Sequence, residues 1–149
     1  MSGSGNGKGR ESSGGQGPAL SGSCLCGGVR FLLAERPDGV VTCHCGQCRR
    51  FHGHIGAYIT VPRATVIFDA DETLSWYRSS DFAERGFCGR CGSSLFWKGD
   101  GKPEIEIAAG SLDQPTGLKT LRHGYVEGKA DYYEITDGLE QFPGSSETE

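Results

Sequence analysis

Three cysteines within one short stretch form the densest group of reactive side chains in the sequence. Cys43, Cys45 and Cys48 have the spacing C-x-C-x-x-C. Thiolate sulfur is a ligand that zinc prefers, and short spacings of this kind let one loop present several sulfurs to one ion. A catalytic zinc keeps three protein ligands and one open position, whereas a structural zinc has four protein ligands. The chemistry of this three-cysteine cluster therefore depends on what fills the fourth position.

Four further cysteines form two pairs that lie far apart in the chain, Cys24 with Cys26 and Cys88 with Cys91. Together they supply the four ligands of a closed tetrahedral site, which would connect the start of the domain to its later part. We call this set the four-cysteine cluster. The alternative assignment adds Cys24 and Cys26 to the three-cysteine cluster and leaves the second pair with too few ligands. The spacing therefore predicts two zinc ions per chain.

Histidine commonly completes cysteine zinc sites, so the three-cysteine cluster has an alternative interpretation as a second structural site. The candidates for a fourth ligand are His44, His52 and His54. The last two also fit surface positions beside a glycine turn.

Charged residues near and beyond the cluster are candidates for contacts with a substrate. Arg49 and Arg50 directly follow Cys48, and a guanidinium pairs well with a carboxylate. The alternative for both is a solvated surface charge. His123 is a candidate proton shuttle because histidine titrates near neutral pH, although a lone histidine is more often structural or solvated.

Composition limits the class of protein. The chain has 149 residues and a formal net charge of -4, so one domain is expected, without the basic patch typical of nucleic-acid-binding proteins. The cysteine count of 7 is odd, which argues against a complete disulfide framework. The sequence shows no apolar signal segment and no apolar run long enough for a bilayer. We expect a reducing, cytoplasmic compartment, clustered cysteines that bind metal, and no membrane partner.

The Gly/Ser-rich segment 1–19 is predicted to be disordered, because it cannot bury enough apolar surface to offset its ordering entropy. Residues 20–143 are predicted to form the zinc-binding domain, and residues 144–149 a flexible C terminus. No stretch of ten or more residues shows helical periodicity, so the fold class is mainly β, with short antiparallel strands and zinc as a cross-link.

Short strands and turns must position the cysteines. Residues 40–42 read as a strand that leads into Cys43, and residues 94–98 read as one arm of a hairpin that follows Cys91. A helical turn is expected at 49–52. Residues 124–127 and 132–135 are the last strand candidates.

Three ordered motifs of this sequence resemble the family of glutathione-dependent formaldehyde-activating enzymes, which also includes centromere protein V. The similarity spans roughly residues 22–143. Ala109-Gly110-Ser111-Leu112-Asp113 and His123 also fit the pattern of the family. The three motifs are Gly22-Ser23-Cys24-Leu25-Cys26-Gly27-Gly28-Val29, Cys43-His44-Cys45-Gly46-Gln47-Cys48-Arg49-Arg50 and Phe87-Cys88-Gly89-Arg90-Cys91-Gly92-Ser93.

The resemblance implies a β-tent fold, a structural zinc on the four-cysteine cluster and a catalytic zinc on the three-cysteine cluster. It also implies carbon–sulfur lyase activity, exemplified by joining glutathione and formaldehyde into S-hydroxymethylglutathione. The small-molecule partners would then be a glutathione-type thiol and an aldehyde. The resemblance leaves the actual substrate of this chain open.

Two other functions compete with this one. A non-catalytic zinc module that binds a thiol or a protein partner is the main alternative, because a fold does not decide a function. Association with chromatin or nucleic acid, by analogy with centromere protein V, is disfavoured by the acidic balance of charge. An exposed β edge would also be compatible with a homodimer.

Overall fold

The structure, a computed structural model, describes residues 19–146. The predicted disordered tail, except for Ala19, lies outside the described residues, as do residues 147–149 of the predicted flexible C terminus. Ser146, the last described residue, is buried with 8% of its surface exposed. In the range from 19 to 146, no helix is long and apolar enough to cross a membrane.

Short strands dominate the described part of the chain, as the sequence predicts. Besides one short α-helix, it contains three single-turn 3₁₀ helices, at Arg63–Thr65, Ala109–Ser111 and Val126–Gly128. The main elements in chain order are β1 (Leu20–Ser23), β2 (Arg30–Leu33), β3 (Val40–Cys43), α1 (Gly46–His52), β4 (Gly56–Pro62), β5 (Val66–Ala70), β6 (Leu74–Ser80), β7 (Ala83–Cys88), β8 (Ser94–Gly99), β9 (Glu104–Ala108) and β10 (Thr120–Gly124).

The strands form two sheets. One has three strands in the order β1-β2-β5, and the other has seven in the order β10-β3-β4-β9-β8-β7-β6. This arrangement confirms the mainly β fold class. The prediction of antiparallel strands fails for one pair, because β10 runs parallel to β3. A parallel pair requires a long crossover connection, and here the chain leaves β3, builds most of the larger sheet and only then returns beside it.

The inner face of the seven-stranded sheet packs against the smaller sheet and forms the core. Phe96, Ile107 and Ile59 are register partners on adjacent strands and are fully buried. The ring of Phe96 lies 5.6 Å from that of Phe31 on β2, which joins the two sheets. Gly86 pairs with Phe96 on the other side, where an added Cβ would come within 3.0 Å of that ring. Its missing side chain therefore makes room for the aromatic packing.

The outer face of the same sheet carries a row of polar and aromatic residues. Arg85 pairs with Trp97, Trp97 with Glu106, and Glu106 with Thr60, so the row crosses four strands from β7 to β4. Successive side chains of a strand point to opposite faces, which is why this row and the core row alternate along the same strands. The row forms part of the wall of a cavity that is described below.

The last part of the chain departs from the predicted elements. The predicted helical turn at 49–52 lies inside α1, which ends where Gly53 adopts a φ of 91° and donates its N–H to the carbonyl of Arg49. Of the two late strand candidates, 124–127 overlaps only the last residue of β10, and 132–135 forms no strand. Single backbone contacts hold this region instead, such as the N–H of Phe142 donating to the carbonyl of His123.

Candidate metal centres and the cavity beside them

The four-cysteine cluster joins two turns that are distant in sequence. Cys24 and Cys26 lie between β1 and β2, and Cys88 and Cys91 lie at the turn between β7 and β8. The four sulfurs lie within 4.8 Å of one another, and the Sγ of Cys26 is 3.7 Å from those of Cys24 and Cys88. Tetrahedral bonds of about 2.3 Å to zinc place sulfurs about 3.8 Å apart. The cluster therefore fits one zinc ion.

Hydrogen bonds support the sulfurs of this cluster as thiolates. The backbone N–H groups of Arg90 and Cys91 donate to the Sγ of Cys88 at 3.3 Å, and the N–H of Val29 donates to the Sγ of Cys24 at 3.3 Å. The exposed side chain of Arg90 also donates from Nε to the Sγ of Cys26 at 3.2 Å. Such donors stabilise the anionic form of a ligand, so the turns are built to hold negative sulfur.

The three-cysteine cluster is local, as its spacing predicts. Cys43 ends β3, Cys45 caps the N terminus of α1 and Cys48 lies in the helix, and their sulfurs also lie within 4.8 Å of one another. The Sγ of Cys45 accepts a hydrogen bond from the N–H of Cys48 at 3.3 Å. The thiols of Cys43 and Cys48 hold the pKa of Cys45 well below its ordinary value, because they donate hydrogen bonds to its thiolate. This donor set fits a metal ion with three thiolate ligands.

No histidine joins the three-cysteine cluster in the described part of the chain. The Nε2 of His52 is hydrogen-bonded to the hydroxyl of Tyr58. Burial and the charge of Arg85 lower the pKa of His52 to about 4, so its ring is neutral near pH 7. His54 lies at the surface, with Nδ1 3.1 Å from the hydroxyl of Tyr132. The structure thus offers no support for closure of the site by these histidines.

His44 and His123 form a buried network behind the cluster. The Nδ1 of His44 lies 2.6 Å from the hydroxyl of Tyr133, and its Nε2 lies 3.1 Å from the Nδ1 of His123. The hydroxyl of Thr42 is hydrogen-bonded to both rings. On the far side, the Nε2 of His123 lies 2.8 Å from the carboxylate of Asp137.

These contacts fix the orientation of the His123 ring. The carboxylate of Asp137 accepts, so the Nε2 of His123 carries the hydrogen and its Nδ1 faces the donors of Thr42 and His44. His123 is not among the residues that line the cavity. The network attaches the end of β3 to β10 and the C-terminal region, and the role of His123 as a proton shuttle stays a prediction.

A cavity of about 780 Å³ opens beside the three-cysteine cluster. All three cysteines line it, so a small molecule can reach their sulfurs from this cavity. Its remaining lining combines aromatic side chains with charges of both signs, and includes Tyr58, Phe82, Arg85, Trp97, Lys102, Glu104, Glu106 and Arg122. A cavity of this size and mixed character suits a small, charged organic ligand.

Arg85 is a residue of this site that sequence reasoning missed. It is only 4% exposed, and its Nη2 donates to the Sγ of Cys48 at 3.6 Å. The position three residues before Cys88 carries no sign of this contact, because β7 and α1 are distant in sequence. Only the strand order places the guanidinium beside the cluster.

The structure does not bring Arg49 and Arg50 to the cavity wall, since neither is among its lining residues. The Nη1 of Arg49 donates to the carbonyl of Gly128 at 3.1 Å, which ties α1 to the 3₁₀ turn after β10. Arg50 is exposed. Their contact with a substrate carboxylate stays a prediction.

Comparison with known families agrees with the arrangement of the cysteines. The family model of the glutathione-dependent formaldehyde-activating enzyme matches residues 19–128. The chain belongs to this family. The matched segment contains all seven cysteines and every strand of both sheets.

Individual relatives cover most of the chain. A Halomonas elongata protein, named provisionally as a glutathione-dependent formaldehyde-activating enzyme, is 33% identical over 127 residues, which are 78% of this chain and 80% of that protein. An uncharacterized lyase of Schizosaccharomyces pombe is 31% identical over 127 residues, or 84% of this chain and 91% of that protein. A crystal structure of a Rhodobacter sphaeroides protein superposes with a TM-score of 0.54 and 25% identity, covering 65% of this chain and 91% of that one.

Membership of the glutathione-dependent formaldehyde-activating family supports glutathione-dependent formaldehyde activation, or a related lyase activity, for this chain. Both cysteine clusters are compatible with bound metal.

Proposed function

We propose that the protein is a zinc-dependent carbon–sulfur lyase that joins a glutathione-type thiol to an aldehyde such as formaldehyde, and that also cleaves the adduct. The observation that carries this proposal is the three-cysteine cluster in the wall of a cavity of about 780 Å³. In the described part of the chain, no histidine, aspartate or glutamate completes that ligand set. A closed structural site would need such a residue.

Cys43, Cys45 and Cys48 would hold the catalytic zinc, and Cys24, Cys26, Cys88 and Cys91 would hold a structural one. When bound, the ion at the three-cysteine cluster would supply a position at which a thiol loses its proton and is held as a thiolate. Three thiolates already outweigh the charge of the ion, which favours delivery of a thiolate over activation of water.

The reaction itself needs little from the chain beyond positioning. A lone pair of the substrate sulfur forms the new C–S bond, the carbonyl π pair moves to oxygen, and that oxygen takes a proton from solvent. The cavity holds both reactants beside the cluster and so replaces a chance encounter with a fixed geometry. Cleavage of the adduct reverses the same movements.

The charges in the cavity favour a substrate that itself carries both signs. Lys102 and Arg122 line the same cavity as Glu104 and Glu106. Glutathione has two carboxylates and one ammonium group, so such a surface offers partners for each. Arg49 and Arg50 remain further candidates for its carboxylates.

The main alternative is a non-catalytic zinc module that binds a thiol without turnover. Both functions need the open ligand position, so thiol binding alone does not separate them. The decisive experiment is turnover on a panel of glutathione adducts of different aldehydes, followed by proton NMR, with zinc content measured on the same samples.

We expect two zinc ions per chain and faster formation or cleavage of at least one adduct than in buffer. The Cys45→Ser variant is the control and should keep one zinc ion and lose the rate enhancement. Thiol binding with two zinc ions and no turnover on any adduct would favour the binding module. A zinc content near one in folded protein would contradict the division of the cysteines.

A further inference from the structure

Arg85 is a buried cation whose guanidinium is bonded to three different groups. Its Nε donates to the Oε1 of Gln47 at 2.7 Å, its Nη1 to the hydroxyl of Tyr58 at 2.8 Å and its Nη2 to the Sγ of Cys48 at 3.6 Å. The ring of Phe51 lies 5.1 Å from its Cζ. These contacts fix the guanidinium in one orientation beside the three-cysteine cluster.

Its partners do not explain why a charge is kept there. Gln47 is a neutral amide, and burial raises the pKa of Tyr58, so neither of them supplies a negative charge. A buried cation without an anionic partner is costly. No salt bridge involving Arg85 is present among residues 19–146. The sulfurs of the cluster are therefore the negative groups that this charge faces.

The proposed reaction adds more negative charge at the same place. Three thiolates around a divalent ion leave a net charge of minus one, and a thiolate substrate in the fourth position would make it minus two. A fixed cation in a partly buried site is worth far more than one in water, because the effective dielectric constant there is about 20 instead of about 80. Arg85 also lines the cavity in which the substrate sulfur would lie.

We propose that Arg85 is a positioning residue that offsets the negative charge of the three-cysteine cluster and thereby admits an anionic thiol to it. The inference rests on the proposed function, since it assumes that a thiolate enters the open position. Arg85 acts on the sulfur of the substrate and leaves the recognition of its carboxylates to other residues of the cavity.

This role differs in a measurable way from that of an arginine that binds a substrate carboxylate. A charge that acts on sulfur should matter equally for glutathione and for 2-mercaptoethanol, which has a thiol but no carboxylate. It should not matter for S-methylglutathione, which has the carboxylates but no free thiol. The charge of a carboxylate-binding arginine would instead matter for glutathione and for S-methylglutathione, and not for 2-mercaptoethanol.

The experiment compares wild type, Arg85→Gln and Arg85→Lys by isothermal titration calorimetry with these three ligands. Circular dichroism and zinc content are measured on each sample. We expect Arg85→Gln to keep two zinc ions and to lose roughly 10- to 100-fold in affinity for both thiols. We expect its affinity for S-methylglutathione to stay the same. Arg85→Lys keeps a positive charge but cannot repeat all three hydrogen bonds, so its affinity for both thiols should lie between those of Arg85→Gln and wild type.

Arg78 on β6 provides the matched control. It is a surface arginine on a neighbouring strand, ion-paired with Asp100 at 2.8 Å and with Glu84 at 3.2 Å, and it does not line the cavity. Arg78→Gln should leave the affinity for all three ligands unchanged.

Several results would overturn the inference. If wild type binds both thiols and folded Arg85→Gln binds them equally well, the charge has no role. Loss of zinc from Arg85→Gln would show that the guanidinium holds the ligands and does not admit the substrate. Where Arg85→Gln does not fold, Arg85→Lys still decides, because a folded, zinc-loaded lysine variant that binds neither thiol would exclude charge as the cause. If wild type itself binds no thiol, the proposed function fails, and the inference fails with it.

Discussion

The two cysteine clusters use the same ligand atom in opposite ways. The four-cysteine cluster closes a loop between Cys26 and Cys88, which are 62 positions apart, whereas the three-cysteine cluster lies within β3 and the first turn of α1. Loop-closure entropy grows with the length of chain enclosed, so an ion in the first cluster removes far more freedom from the unfolded chain. Under the proposed function, the ligand type thus predicts that both clusters bind metal, and the sequence separation of the ligands predicts the role of each ion.

An arginine lies beside a sulfur in each cluster, and its exposure follows the same division. Arg90 reaches Cys26 from the surface, whereas Arg85 reaches Cys48 from inside the sheet and is 4% exposed. A surface charge is screened by water and salt, and a buried one is screened much less. The three-cysteine cluster therefore combines an open cavity with a strong fixed charge.

Replacing a cysteine of the four-cysteine cluster should have the largest effect on stability. Cys88→Ser removes one of four ligands and, with it, the connection between the β1–β2 turn and the β7–β8 turn. Because metal binding at such a site is folding free energy, we expect a fall in Tm of about 15 °C or more, or aggregation. Thermal melting by circular dichroism measures it, and a benign Cys88→Ser would mean that the two sites are assigned backwards.

The stability of the region around the three-cysteine cluster should depend more on the hydrogen bonds of His44 and His123 than on a bound ion. Thr42→Val keeps the shape of the side chain but removes the hydroxyl shared by His44 and His123. The two rings keep their contact with each other at 3.1 Å, so the cost is that of the two lost hydrogen bonds, about 1–3 kcal/mol in the free energy of unfolding. Urea denaturation measures the loss. Thr60→Val, the same change on the exposed part of β4, is the control and should have almost no effect.

Acid should lower the free energy of unfolding through protonation of His52, which lies beside the three-cysteine cluster. In the unfolded chain this ring takes up a proton near pH 6.5, but in the folded protein only at about 4. Between these values the unfolded state binds more protons, so this stabilisation is complete above about pH 6.5 and is lost as the pH falls towards 4. With allowance for partial exposure, the loss is about 1–2 kcal/mol.

The measurement is urea denaturation of wild type and His52→Gln at pH 7.5 and pH 5. Glutamine does not titrate, so the variant should lose less stability than wild type between the two pH values. Equal losses would show that the His52 ring does not carry this part of the acid sensitivity.

Replacing a cysteine of the three-cysteine cluster should have the smallest effect on stability and a large effect on activity. Serine is a good N-cap residue, so in Cys45→Ser the hydroxyl can accept the N–H of Cys48 that Cys45 now accepts. We expect one zinc ion to be lost, turnover to fall at least about 100-fold, and stability to change by less than about 1 kcal/mol.

Cys45→Ala separates the cap from the ligand, because it removes both and should cost about 1 kcal/mol more than serine. Melting, zinc analysis and turnover on the same samples test the pair. A Cys45→Ser protein that unfolds would contradict the division between a folding site and a reaction site.

The sequence allowed both cysteine clusters to be predicted, because each of the three cysteine motifs has a short spacing and the division of seven sulfurs left the two distant pairs together. Two residues between Cys88 and Cys91, or one between Cys43 and Cys45, already restrict the geometry to a metal-binding turn. The mainly β fold was likewise predictable from short apolar stretches between turns.

The cavity was not predictable in this way. Its wall combines Arg85, Trp97, Glu106 and Thr60, which come from four strands and meet only through the register of the sheet. Strand propensity also failed after β10, where residues 132–135 look like a strand but are held by side chains, such as Tyr133 bonded to His44. Long-range pairing decides both features, and no local pattern encodes it.

The bulge in β8 gives the four-cysteine turn a second consequence. Phe87 pairs with Ser94, but its neighbour Gly86 pairs with Phe96, so Leu95 is an extra residue between the cysteine turn and the cavity row. The number of residues between the cysteine turn and β8 therefore sets which side chains face the core and which face the cavity. With the present number, Phe96 faces the core and Trp97 the cavity, and a shift of one residue would exchange the two faces. Unless the bulge accommodates it, a one-residue insertion between Cys91 and Leu95 would turn the core side chains of β8 towards the cavity and the cavity side chains towards the core. The length of the turn that carries Cys88 and Cys91 thus influences the shape of a cavity that none of the four-cysteine cluster lines.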